Sequence, residues 1–325
     1  MKHAWLLGFS LAFAFVGACR PTLDDDLSHV DGPRILAVQS EPAEAKPGEE
    51  ITLRAFTTDG VMYPLVTSLD WSFCVARRSL AEPTSLSAAC LHDAPGALVA
   101  LGAGAEARGA IPAEACRLFG PDRPLAEVAG EPAGRPADPD VTGGYFLPGV
   151  VRAPGAGDAL FDVRVRCGLA GATQEDVATF ERTYRSNTNP RVADVTVTHA
   201  DGRLEAAAEG AEITASAGEV LGVRVAWPAC IGDAPCGGAE RYPAFDAVSR
   251  TLGSRREAMR VSWLASRGRF AETRTGRDEA DELRDVATTW TAPSAADPAA
   301  PAILWTVLRD ARGGTGFRSL RVRVR

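Results

Sequence analysis

Pro47-Gly48-Glu49-Glu50-Ile51-Thr52-Leu53-Arg54-Ala55 sets the reading of the chain. Pro-Gly marks a tight turn. After it Ile51, Leu53 and Ala55 alternate with Thr52 and Arg54, the period of a half-buried β-strand. The pattern returns as Ala217-Gly218-Glu219 followed by Leu221, Val223 and Val225. Pro190-Arg191-Val192 echoes Pro33-Arg34-Ile35, and Val261-Ser262-Trp263 echoes Leu69-Asp70-Trp71. The spacings between echoes differ, so the chain reads as two related units, not a tight array.

Working outward, Trp71 and Phe73 point inward, and so do Phe161, Val163, Val165 and Cys167, against outward Asp162, Arg164 and Arg166. The β pattern runs on to Thr179-Phe180-Glu181-Arg182-Thr183-Tyr184, which closes the first unit at residues 33–188. Between these strands lies an Ala/Gly/Pro-rich excursion over about 81–142, with one short helix near Pro112 to Leu118. Ser186-Asn187-Thr188-Asn189 is a turn cluster and marks the boundary. In the second unit, 189–325, the nearly continuous apolar run Ile303 to Leu308 suits a central strand. Asp310-Ala311-Arg312-Gly313-Gly314 is a hairpin signal, and Leu320, Val322 and Val324 alternate with arginines to the end. Trp71, Trp263 and Trp305 read as core. The expected fold class is all-β, two sandwiches in tandem with long loop insertions. Each unit resembles the immunoglobulin-like domains of bacterial surface proteins, without the antibody Cys-Trp-Cys spacing.

The first residues tell a separate story. Met1-Lys2-His3 is a basic start, Ala4 to Val16 is almost wholly apolar, and Gly17-Ala18-Cys19 follows. These are the parts of a secretion signal, and the run is short of the ~20 residues that span a bilayer. Val16-Gly17-Ala18-Cys19 resembles the lipobox of bacterial lipoproteins. That resemblance implies a signal peptide over 1–18, lipidation of Cys19, a flexible tether over 19–32 and attachment to the cell envelope through the membrane. Arg20 is not the Asp that retains enteric lipoproteins in the inner membrane, so it further implies the outer membrane.

Seven cysteines leave six once Cys19 carries lipid. In an oxidising compartment six thiols suggest three disulfides. Cys230 and Cys236 bracket a turn-rich loop and pair. Cys74 follows inward Phe73 and so points outward, which makes pairing with inward Cys167 awkward. Parity favours Cys74 with Cys90 and Cys116 with Cys167, and leaves the choice open to peptide mapping without reduction.

A net charge of −7 gives no reason to expect nucleic acid. No nucleophile elbow, zinc motif or phosphate loop is present. Gly102-Ala103-Gly104 lies in the Ala/Gly-rich excursion, outside any dinucleotide context. Asp278, Asp281, Glu282 and Asp285 would share one face of a helix, but Arg277 and Arg284 interleave and a solvated surface is the simpler reading. Phe119, Tyr145, Tyr242 and Phe245 could stack on sugars or pack under loops. The expectation is a non-enzymatic envelope lipoprotein that adheres, scaffolds or binds a partner, without cofactor or metal. The alternatives are a carbohydrate-binding or carbohydrate-active protein, or an accessory subunit of an envelope complex.

Overall fold

The computed structural model describes residues 27–60, 68–76, 86–118, 143–155, 157–169, 172–232, 234–246, 248–295 and 300–325. The signal segment, Cys19, Phe119, most of the tether and much of the 81–142 excursion lie outside these residues.

The chain is all-β. Its first half supplies β1 (Arg34–Glu41), β2 (Glu44–Ala45), β3 (Glu50–Thr58), β4 (Asp70–Cys74), β5 (Leu98–Ala103), β6 (Glu106–Ala110), β7 (Gly144–Ala153) and β8 (Gly157–Arg166). They form a sheet β1-β3-β6 facing a sheet β2-β8-β7-β4-β5. The second half supplies β9 (Asp194–Thr198), β10 (Leu204–Ala206), β11 (Glu212–Ala215), β12 (Val220–Ala226), β13 (Arg241–Asp246), β14 (Thr251–Arg256), β15 (Met259–Ala265), β16 (Arg269–Phe270), β17 (Arg274–Arg277), β18 (Asp285–Thr291), β19 (Ala302–Asp310) and β20 (Thr315–Val324). Here the sheets are β10-β9-β12-β18-β16 and β11-β20-β19-β15-β17, and β13-β14 is a separate hairpin.

The two halves share one immunoglobulin-like plan. In each, a short strand pairs in parallel with the last one, β2 with β8 and β11 with β20. The Gly-Glu turn is the same device twice. Gly48 and Gly218 both have positive φ, 82° and 72°, a conformation glycine adopts without a Cβ clash. Glu49 and Glu219 each fold back to accept from the backbone N–H of Lys46 and Ser216, at 2.8 and 2.7 Å. Trp71 and Trp263 then lie in corresponding strands, in the two separate cores.

Three differences from the sequence reading have physical causes. Residues 98–110, inside the excursion, are β5 and β6, one strand for each sheet of the first sandwich; in β5 Leu98 and Leu101 are half-buried and Val99 is exposed, so apolar bulk follows no period of two there. Residues 174–183 form a helix, not a strand. Thr173 caps it by accepting from the Asp176 N–H at 3.1 Å, and the spacing of Val177, Phe180 and Tyr184 is helical. The end of the expected tether is docked: Val30 and Ala265 exchange backbone bonds with the opposite segment, Val30 N–H to the Ala265 carbonyl and Ala265 N–H to the Ser28 carbonyl, both at 2.9 Å.

Candidate functional site

The disulfides are Cys74–Cys90, Cys116–Cys167 and Cys230–Cys236, with Cα separations of 5.7, 5.5 and 5.3 Å. Cys74 does face away from Phe73. It is buried with Leu86, Cys90, Ala97 and Val150 in a small cluster on the outer face of the sheet. Cys167 packs against the inner core. Gly104 sits in the turn between β5 and β6, where its carbonyl accepts from Trp71 Nε1 at 2.9 Å. The acid-rich stretch is a loop. Arg277 bonds Asp281 at 2.9 Å, and Arg260 bonds Asp278 at 3.3 Å. Tyr145, Tyr242 and Phe245 are buried. Among the described residues no three His, Cys, Asp or Glu side chains are grouped to hold a metal ion, and no helix is long and apolar enough to cross a membrane.

The most concentrated chemistry lies between the sandwiches. Along β19, Leu304 and Leu308 face the second core, while Ile303, Trp305 and Val307 face the other way. That second face meets Ala37 and Phe56 on the outer surface of the first sandwich, with Val30 filling the same cluster. Phe56 and Phe317 stack across it, centroids 4.2 Å apart at 17°. Trp305 is therefore core, but core of the junction.

A buried polar cluster continues the junction. The hairpin loop between β19 and β20 carries Arg312, only 2 % exposed. Its Nε donates to Glu257 Oε1 at 2.7 Å and its Nη2 to Glu240 Oε2 at 2.8 Å. Its Nη1 donates to the Arg185 carbonyl at 2.9 Å. The guanidinium also lies over the Tyr242 ring, 4.9 Å from its centroid. Tyr184 donates its hydroxyl to Glu44 at 2.8 Å, and the Asn187 N–H reaches the same carboxylate at 2.8 Å. The Asn187 side-chain amide then donates to Asp310 at 3.0 Å. Asn189 adds a clamp: its amide donates to the Ser40 carbonyl at 2.7 Å and its oxygen accepts from Thr315 N–H at 3.0 Å. The turn cluster that marks the boundary in the sequence is thus a fastening point. A groove of about 330 Å³ opens beside it, lined in part by Leu36, Phe146, Leu160, Asp162 and Arg309.

Burial, and then the charge on Asp310, push the Glu257 carboxyl up to about 8, against the pull of Arg312. Burial pushes Asp310 up to about 6. The same surroundings hold Arg312 protonated, so the protons that change with pH belong to the carboxyls. The folded chain binds them more tightly than the unfolded chain does. Stability is therefore greatest below the unfolded values and is lost as pH rises, through about 6 for Asp310 and about 8 for Glu257. The thermal midpoint is expected to fall by several degrees between about pH 4 and about pH 8. Glu257→Gln should flatten the upper part of that fall; an unchanged profile would remove Glu257 as its source.

Sequence reasoning passes over Arg312, Glu240, Glu257 and Glu44. The one hint is that Ile303–Leu308 is apolar on both faces, where a sandwich strand needs only one.

No protein-family model matches the chain, and no curated protein matches it. Similar solved structures include a DUF4785 family protein of Legionella pneumophila, at 9 % identity and TM-score 0.21, covering 85 % of this chain and 52 % of that one. The adhesin InvE of Yersinia pseudotuberculosis is similar at 8 % identity and TM-score 0.20, covering 88 % and 58 %. A putative membrane anchored protein of Corynebacterium diphtheriae follows at 9 % and 0.20, covering 90 % and 59 %. The chain spans just over half the length of each of these three. At such scores the likeness carries no argument about function.

Proposed function

We propose that this chain is a lipid-anchored, non-enzymatic protein of the cell envelope whose two sandwiches act as one stiff body for binding a partner. The Arg312 junction is the observation that carries this reading. Its charges are spent on each other and on backbone groups, away from solvent, which suits a lock between domains. The junction faces inward, so loops and sheet edges of both halves are left to meet a partner. The lipobox-like Val16-Gly17-Ala18-Cys19 supports the anchor, with acyl chains adding about 0.8 kcal/mol per buried methylene.

The test is phase partitioning joined to affinity capture from the native envelope. The tagged wild-type chain should enter the detergent phase and bring down a reproducible envelope component. Cys19→Ala should move to the aqueous phase with its fold intact. Retention of Cys19→Ala in the detergent phase would overturn the lipid anchor. Turnover of an envelope polymer by the purified chain would overturn the non-enzymatic reading.

A further inference from the structure

Three arginines line one cleft beside the β13–β14 hairpin. Arg241 and Arg256 stand directly opposite each other in the β13–β14 hairpin. Like charges in that position repel. Arg284 approaches the same space from the loop before β18, held there by the Trp227 N–H, which donates to the Arg284 carbonyl at 3.0 Å. The three arginines line a cleft of about 370 Å³ with Pro228, Ala239, Glu282 and Leu283. Among the described residues Arg241 and Arg284 have no side-chain hydrogen-bond or ion-pair partner. Arg256 Nε donates to the Glu279 carbonyl at 3.2 Å, yet its Nη2 is buried with no acceptor. A buried donor left unmade is destabilising, and more so on a charged group.

Three arginines on one cleft, one of them with a buried unmet N–H, are what make this a site. Arg54, Arg166, Arg203, Arg224, Arg318 and Arg323 each have a carboxylate partner. The chain has 42 acidic residues for 35 basic ones, so carboxylates are not scarce. Three arginines around one cleft, one with a buried unmet N–H, indicate an acceptor that comes from outside.

We infer that this cleft binds an acidic sugar unit, a uronic-acid residue of an envelope polysaccharide. Guanidinium forks match a planar carboxylate in two-point geometry. Glu282 in the same wall would repel a bare anion, but it suits a ligand that also offers hydroxyl donors. Pro228, Ala239 and Leu283 supply apolar wall for the C–H face of a pyranose ring, and the volume is in the range of small-molecule sites. This names the ligand class within the binding reading above, and it does not depend on the anchor.

The test is calorimetric titration of the full-length, detergent-solubilised chain with digalacturonate. Its methyl ester, inorganic phosphate and phosphatidylglycerol vesicles are titrated separately. Saturable binding of digalacturonate is expected, lost with the ester. Arg241→Gln and Arg284→Gln should each weaken it about tenfold, the worth of one charge-assisted hydrogen bond. Arg323→Gln, outside the cleft, should not change it, and unchanged thermal midpoints would show that the variants fold. Equal binding of the ester, insensitivity to both cleft substitutions, or no binding of digalacturonate would overturn the assignment. So would binding of phosphate or vesicles alone. Loss of the sugar acid with envelope capture intact would sink this inference and leave the binding reading standing.

Discussion

Arg312→Met should lower the unfolding free energy by about 3–5 kcal/mol at neutral pH, the usual cost of removing one partner from a buried ion pair. Methionine keeps most of the volume, so the loss is chiefly electrostatic. Glu240 and Glu257, 7 % and 1 % exposed, would be left facing each other without the cation. The Arg185 carbonyl would lose its donor too. Arg312→Lys should rescue little, because one ammonium cannot reproduce the fork that reaches Glu257, Glu240 and the Arg185 carbonyl together. The penalty should be larger at about pH 9 than at neutral pH, because Glu257, which sits at about 8 with Arg312 beside it, can ionise there only while the cation is present. Urea unfolding at both pH values measures this. A loss under about 1 kcal/mol at neutral pH would mean that the cluster is incidental.

Trp305→Ala should cost about 3–5 kcal/mol, within the range for deleting a buried tryptophan side chain. Its distinguishing effect is on cooperativity. Trp305 is fully buried, but against Val30, Ala37 and Phe56, not against the core of its own sandwich. A cavity there weakens the contact between halves while Leu304, Leu308 and Trp263 still hold the second core. Unfolding should then divide into two steps. Trp305→Phe should be far milder: it keeps the ring and removes an indole N–H that is buried without a partner among the described residues. Denaturant curves followed by near-ultraviolet dichroism would show it. A single unshifted transition for Trp305→Ala would contradict this role.

Much of the fold was legible because alternation and turn chemistry agree. Pro47-Gly48-Glu49 and Ala217-Gly218-Glu219 announce the same turn, and the strands after them show a clean period of two. Cysteine parity is legible too: the side chain after inward Phe73 points outward, where Cys90 meets it. The strands at 98–110 were hidden because half-exposed edge strands need little apolar bulk. The 174–183 helix was hidden because Phe180, Arg182 and Tyr184 also fit a period of two; the Thr173–Asp176 cap decides otherwise. The junction was the least legible part. Its members, Glu44, Tyr184, Asn187, Glu240, Glu257 and Arg312, are scattered along the sequence, and charged residues read singly look like surface. Only the double-faced apolar run of β19 records that a second body covers it.

The central claim is that this junction makes two sandwiches into one cooperative body. Differential scanning calorimetry of the wild-type chain tests it most directly. One transition is expected, with calorimetric and van't Hoff enthalpies equal. Two resolved transitions, or a calorimetric enthalpy about twice the van't Hoff value, would show two independent domains and contradict the account.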